Sequence, residues 1–479
     1  MESFVPAVLK SDCAVCLCVY DDSDTPNAAV HITEGLLKLR EKYGVPIRLV
    51  TKKNRLQFVE RLKREGAKNN IPPEIIDFGL TDVFRAGKAL GINRNIALLD
   101  NIGRIIISND DDVSNHFIRS PCYRPGIKLS SVVNPRRMQL YESREALMDD
   151  IEPIDIDVVA EHGFYLGKTI GEIVKKEERK SGPVDIPSAM FCEVENCFDD
   201  GGTVIITLPG IFGVNTGKIP SSFLMWKPGA PEYGNDGKGE YYKKILSTEC
   251  IYTPPVTTIT DRAYLTTPHF GLDARNLLPP FFPIFRGQDK IFGLLTKRCF
   301  PHYYYLYPSY AIFHKRRDSH TFDRGDLIKL NNSFSFQFSL LLDTCITTPL
   351  GKGLTCSLHE IGILLERFAL QSDSDFTGCL RELFADYFTN YVDFLSSLKD
   401  RSSTEPQWWL EDVERYRQAV LAASRREDII IPDEIKSLTG SFDGAVRFYK
   451  QLLSNYGKLC RHWEVIVEVA RECEMPGEV

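Results

Sequence analysis

No stretch of the 479-residue chain is apolar over about 18 consecutive positions, which excludes a helical membrane span. The opening MESFVPAVLKSDC has no basic segment followed by a long apolar one, so no secretory signal is expected. The 13 cysteines are odd in number and lack framework spacing, which points to reduced, mostly buried thiols in a cytoplasm. Cys13, Cys16 and Cys18 have no second pair at zinc spacing and read as buried thiols rather than a metal cluster. Excess positive charge is missing: 58 Lys and Arg against 65 Asp and Glu leave a net −7, with no bulk attraction to nucleic acid or an anionic membrane. GxSxG, HExxH and GxGxxG are absent, as are internal repeats and low-complexity tracts. What is present is ordinary globular composition, 43% hydrophobic and 26% charged. The length suits roughly two to four domains, or one large domain with an appendage.

The first hundred residues alternate strand and helix signals. AVCLCVY (Ala14 to Tyr20) reads as a strand. Thr25 followed by Pro26 reads as a helix start, and Gly44 as its stop. VPIRLV (Val45 to Val50) is a second strand, and Arg55 to Glu65 a charged helix. EIIDF (Glu74 to Phe78) reads as a third strand, followed by a helix from about Arg85 to Asn101 and a buried strand, RIIIS, at Arg104 to Ser108. Such alternation predicts an α/β fold with a doubly wound, largely parallel sheet, in which ligands bind outside the carboxyl ends of the strands. A long irregular insertion is expected over about 120–265. In it, GFYLGKT (Gly163 to Thr169) reads as a helix with a glycine kink, and TVIITLPGIFGVNTG (Thr203 to Gly217) as a strand leading into a Gly-rich loop. Met225 to Tyr242 reads as a long loop, a candidate lid. From residue 331 the character is helical: Leu380, Leu383, Phe384, Tyr387, Phe388, Tyr391 and Leu395 line one amphipathic face. The expected division is a catalytic domain at 1–330 and a helical domain at 331–479, serving acceptor binding or oligomerisation.

The sharpest chemical feature is NDDDV, Asn109 to Val113, directly after RIIIS. Three adjacent carboxylates repel one another unless a cation or hydrogen-bond donors neutralise them. A hard divalent ion such as Mg²⁺ or Mn²⁺ takes oxygen ligands and also binds diphosphate, so an acidic turn at a strand's carboxyl end suits it. A solvated turn with capping duty is the plainer alternative.

The stretch GINRNIALLDNIGRIIISNDDDV (Gly91 to Val113) is similar to the nucleotide-sugar half of GT-A fold glycosyltransferases, which pair an Arg-Asn helix with an Asp-x-Asp turn. The resemblance implies a GT-A-like doubly wound mixed sheet followed by the mostly helical C-terminal domain, with Asp110 contacting the sugar-nucleotide and the metal and Asp112 holding the divalent metal. It also places Arg94 and Asn95 on the donor, with Asp21 and Asp22 after the first strand near the nucleobase. GLDARNLLPPFFPIFRGQDKIF (Gly271 to Phe292) resembles the acceptor-side acidic motif of inverting, family-two-like members. There Asp289 would deprotonate the acceptor, although Gln288 stands where Glu is usual, and a helix-capping role fits Asp289 as well. Arg286 would neutralise the leaving diphosphate or pair with Asp289. In YPSYAIFHKRR (Tyr307 to Arg317), His314 resembles the histidine that completes the metal site, with His302 and His320 as competitors. Lys52 and Lys53 follow the second strand where the family carries an acidic base-binding residue. The function so implied is inverting transfer from a nucleoside diphosphate sugar, a UDP-sugar foremost, to a soluble metabolite, glycan or peptide, with Mn²⁺ or Mg²⁺ as cofactor. Phe281, Phe282, Tyr303 to Tyr305, Trp408 and Trp409 are candidate sugar-stacking aromatics, although core packing explains most of them equally well, and the C-terminal helices are a candidate homo-oligomer contact. A sugar nucleotidyltransferase would need a Gly-rich basic loop after the first strand, where DDSDTPN is acidic. A non-catalytic sugar-nucleotide-binding or scaffold protein is the remaining rival.

Overall fold

A computed structural model describes the chain except residues 24, 88, 182–200, 216–218, 226–237, 263, 316–321, 347–356, 401–404 and 478–479. The first parallel unit forms as its sequence predicts. Strand β1 (Leu17–Tyr20) pairs in parallel with β2 (Ile47–Val50), Leu17 opposite Ile47 and Tyr20 opposite Val50. Between them runs the Pro26–Tyr43 helix, whose Thr25 cap accepts from Ala28 N and whose end is the left-handed Gly44 (φ +66°). Thr51 and Asn54 then form a capping box on the Lys52–Lys68 helix.

EIIDF is not a strand. Pro73–Leu80 is helical, with Ile75, Ile76 and Phe78 buried and Gly79 against Leu459 of the Phe442–Arg471 helix. A five-residue apolar run does not distinguish a strand from a buried helical turn, and Pro72-Pro73 supplies a helix start. The Leu90–Asp100 helix follows and leads into β3 (Ile105–Asn109). RIIIS was expected to be buried, but β3 is an edge strand, paired among the described residues with His269–Asp273 alone, and Ile105 and Asn109 are exposed.

The remaining strands are β4 (Val113–Arg119), β5 (Ile127–Ser130), β6 (Arg137–Leu140), β7 (Pro153–Ile154), β8 (Thr203–Thr207) and β9 (Gly210–Val214). They are followed by β10 (Glu249–Thr253), β11 (Thr257–Thr260), β12 (His269–Asp273), β13 (Tyr303–Tyr307) and β14 (Tyr310–His314). They build two six-stranded sheets, ordered β3-β12-β8-β13-β11-β5 and β6-β10-β9-β14-β4-β7. The fold is therefore mixed α/β and its sheets are mixed, as expected for the chain as a whole, although the alternation over the first hundred residues taken alone predicts largely parallel pairing. Among the described residues, parallel pairing is confined to β1–β2, β5–β11, β8–β13 and β9–β14. Residues 120–265, expected to be an irregular insertion, contribute strands to both sheets.

Among the described residues, four connections of only two or three residues carry the chain from one sheet to the other. Pro209 lies between β8 and β9, Pro254 and Pro255 between β10 and β11, and Pro308 between β13 and β14. Proline has no N–H to extend a ladder, so each strand stops there and its continuation joins the second sheet. TVIITLPGIFGV is thus two strands joined at a corner. The fourth corner has no proline: it is Asp110 to Asp112, between β3 and β4. GFYLGKT also differs from expectation, since the Val158–Tyr165 helix ends there and Gly167 (φ +76°) follows it. The expected lid falls largely on 226–237, outside the described residues.

The helices after residue 331 share one apolar core with the sheets. The Phe442–Arg471 helix packs on the Lys52–Lys68 and Pro73–Leu80 helices and bonds the buried LPPFFP segment (Leu278 to Pro283). Trp463 donates to the Leu278 carbonyl (2.7 Å) and Tyr456 to the Pro280 carbonyl (2.8 Å). Prolines present only carbonyls for pairing, and these two helix side chains supply the donors. Phe281 and Phe282 are 1% and 0% exposed, Phe281 stacked on Phe292 at 4.1 Å. Tyr304, Tyr305 and Trp409 are also buried, and Trp408 and Tyr303 pack against the core, so these aromatics are not surface sugar platforms. Among the described residues, no helix is long and apolar enough to cross a membrane.

Candidate functional site

The acidic corner between β3 and β4 gathers residues from five distant stretches. Asp110 donates its N–H to the Pro268 carbonyl (2.8 Å) and turns its carboxylate to Arg94 (3.4 Å). Asp111 is exposed. The Asp112 carbonyl accepts from Lys315 N (2.6 Å), and its carboxylate lies 3.1 Å from His314 Nε2. His314 stands opposite Val113 in the β14–β4 register, which explains how a residue two hundred positions away reaches the turn. Its Nδ1 bonds the Val214 carbonyl, which directs Nε2 toward Asp112.

Electrostatics tie the cluster together. Burial drives the Asp110 carboxyl up to about 6, with Asp112 and Asp289 adding like charge while Arg94 and His314 oppose the rise. Asp110 nevertheless keeps 46% of its side chain open to water, so it lines a wall rather than a closed interior. For His314, burial pulls downward but is outweighed by its bonds to Asp112 and the Val214 carbonyl and by the charge of Asp110, so its net shift is upward.

Asp289 lies in the first turn of the Gln288–Cys299 helix, whose N-cap is Gly287, so it does not serve as the cap. Its Oδ2 accepts from the Thr267 hydroxyl (3.2 Å) and its Oδ1 from Lys290 N (2.9 Å). The approach to it is strained. Phe285 (φ +69°) and Gly287 (φ +81°) are both left-handed, and a Cβ at Gly287 would sit 2.3 Å from Ser335 Oγ. Such a turn persists only where surrounding packing enforces it, here presenting Asp289 toward Thr267.

Arg94 joins the two carboxylates. Its guanidinium donates to the Thr267 hydroxyl and to the Thr267 carbonyl (2.9 Å), and lies over the rings of Phe270 and Phe281. Asn95 has a different role from the one expected. It is fully buried, accepting from Phe281 N (2.7 Å) and donating to the carbonyls of Phe281 (2.9 Å) and Gly79 (3.1 Å), so it fixes backbone and does not face a donor. Asp21 is 7% exposed and accepts from Ser23 N and Oγ, which leaves Asp22 as the outward member of that pair. Asp22 is bound by Arg55 (2.7 Å), which also donates to the Asp21 carbonyl and to Asn93. Asn93 and Arg94 are neighbours on one helix, so the Asp22 and Asp110 networks meet there. Arg286 is exposed, and no ion pair links it to Asp289. His302 is exposed at the start of β13, outside these contacts, and His320 lies outside the described residues. Lys52 and Lys53 are exposed in the first turn of their helix. Sequence reading missed Thr267 and Arg55, which sit in no motif, and Asn93, which stands beside Arg94 in the Gly91–Val113 stretch but was not singled out.

Among the described residues, no three His, Cys, Asp or Glu side chains converge into a metal cage. Asp110, expected as a ligand, is turned to Arg94 rather than grouped with Asp112 and His314. The pair Asp112–His314 fits a different arrangement, in which Mg²⁺ or Mn²⁺ takes one or two protein donors and completes its shell with substrate phosphates and water.

Beneath the corner lies a buried polar chain. His269 Nδ1 bonds Asn109 Oδ1, His269 and His162 meet through their Nε2 atoms (2.9 Å), and His162 Nδ1 meets the Thr207 hydroxyl. With Asn109 accepting, each ring donates once and accepts once, so both are neutral. Burial holds His162 down to about 3 and His269 well below 6.5, the second ring lowered further by the first. Below about pH 6.5 the unfolded chain therefore binds more protons than the folded one, and stability falls by about 1.4 kcal/mol per pH unit for each ring. Asp110 and His314, shifted upward, act in the opposite sense. Urea midpoints between pH 7 and 5 should show a shallower pH slope for His162→Gln than for the wild type. Parallel slopes would mean that the His162 ring is not buried neutral.

Compared with protein-family models, curated proteins and solved structures, the chain matches none.

Proposed function

We propose that this chain is a divalent-metal-dependent glycosyltransferase of the GT-A kind, moving a sugar from a nucleoside diphosphate donor to a soluble acceptor with inversion. One observation carries the reading. Asp110, Asp112, His314, Arg94 and Asp289, drawn from stretches that the resemblance marks separately, are linked at one corner between two sheets. Asp112 and His314 would hold the ion, which when bound offsets the charge of the diphosphate. Asp110 and Arg94 form the donor-side wall, with Asp22 as the outward carboxylate after β1. Asp289 accepts the proton of the acceptor hydroxyl as its oxygen attacks the anomeric carbon, and the bond to the diphosphate breaks on the opposite face.

Thermal unfolding with Mn²⁺ and a panel of nucleoside diphosphates tests this directly. A ligand at about 100 times its Kd adds about 2.7 kcal/mol to the native state. We expect at least one diphosphate with Mn²⁺ to raise the midpoint by a few degrees, and neither component alone to match it. No shift for any pair would favour a non-catalytic scaffold.

A further inference from the structure

The donor-side and acceptor-side carboxylates are joined through one hydroxyl. Thr267 is buried, in the segment between β11 and β12. That segment is pinned by Arg136, which donates to the Thr266 hydroxyl (2.8 Å) and the Tyr264 carbonyl (2.8 Å). Tyr307 closes the same loop, its hydroxyl accepting from Tyr264 N (3.1 Å). Thr267 is thereby set between Arg94 and Asp289. A hydroxyl has one hydrogen. Because Arg94 donates to Thr267 Oγ1, that hydrogen goes to Asp289 Oδ2, and Lys290 N occupies the other oxygen.

We infer, resting on the reading of Asp289 as the base, that Thr267 is a positioning residue that orients the Asp289 carboxylate and ties it to the Arg94–Asp110 wall of the donor site. Its hydroxyl leaves one lone pair on each Asp289 oxygen for an acceptor while stopping rotation of the carboxylate. Its backbone carbonyl holds Arg94 as well, so Arg94 keeps one of its two bonds to Thr267 when the hydroxyl is removed. Loss of the hydroxyl should therefore disorder the base more than it weakens the donor.

The test compares Thr267→Val, which keeps the shape and removes the hydroxyl, with Thr267→Ser, which keeps the hydroxyl and removes a methyl. Metal-dependent release of nucleoside diphosphate from a panel of nucleotide sugars, water serving as acceptor, gives turnover. Calorimetric titration of the same sugars with Mn²⁺ gives donor affinity. For T267V, kcat should fall by about tenfold or more, with donor Kd changed by less than about threefold, and T267S should recover most of the rate. Wild-type turnover in T267V, or equal losses in both variants, would overturn the hydroxyl's role. If the wild type itself turns over no donor, the transferase reading fails while the bridge remains testable. T267V should then lower the urea midpoint less in an Asp289→Asn background than in the wild type, and an equal drop in both would overturn the bridge.

Discussion

Asp289→Asn should retain donor and Mn²⁺ binding while turnover falls by about 10²–10⁴-fold, the range typical of losing a general base. The amide keeps the shape, and its single oxygen can still accept from Lys290 N while its NH2 takes the place of the oxygen facing Thr267; the Phe285–Gly287 approach, packed against Ser335, is left in place. Asp112→Asn should fail differently. Its carboxylate lies 3.1 Å from His314 Nε2, and removing its charge takes away half of the pair offered to the ion. Metal and donor affinity should drop together, because the diphosphate is held through the ion. Asp111→Asn is the control: an exposed side chain between the two corner positions should change affinity and rate little. Calorimetric titration and turnover on the three variants separate these outcomes. Equal loss of donor binding in Asp289→Asn and Asp112→Asn would make Asp289 a binding residue and remove the base from the mechanism.

The parts of the site that were legible in the sequence are those where chemistry is written locally. NDDDV is dense in charge and directly follows an apolar strand. RGQD opens a helix through a glycine whose left-handed backbone and closeness to Ser335 admit no side chain. Thr25, Pro26 and Gly44 bound a helix by rules that act within a few residues. What stayed hidden depends on partners far along the chain. Thr267 is an ordinary threonine until Arg94 and Asp289 meet it. Asn95 sits in a motif that suggests a ligand, yet its amide groups are spent on Phe281 and Gly79. The sheet corners were missed because a proline between two apolar runs reads as a loop, whereas here it passes the chain between two ladders. EIIDF was misread for a related reason: burial on the Phe442–Arg471 helix decides its conformation, and that helix lies more than 350 residues downstream.

Gly91→Ala should be among the most damaging single-methyl changes available. A Cβ there would lie 1.8 Å from the Phe282 carbonyl oxygen, 2.7 Å from its carbon and 3.0 Å from Pro283 Cα. All three are backbone atoms of the buried LPPFFP segment, so no rotamer change makes room. Relief requires moving the Leu90–Asp100 helix, which breaks the Ile92 N to Pro283 carbonyl bond (3.1 Å) and the Asn95 bonds to Phe281. Overpacking with lost buried hydrogen bonds places the expected cost at about 3–5 kcal/mol. The same displacement carries Arg94 away from Thr267 and Asp110, so any folded fraction should bind donor poorly. Gly35→Ala provides the contrast. It lies in the Pro26–Tyr43 helix with nothing within 4 Å of a new Cβ, and should stabilise by about 0.5–1 kcal/mol. Urea midpoints of the two variants should therefore move in opposite directions. A Gly91→Ala protein that unfolds with the wild type and binds donor normally would mean that this helix does not rest on the LPPFFP backbone, and that Arg94 is held by something else.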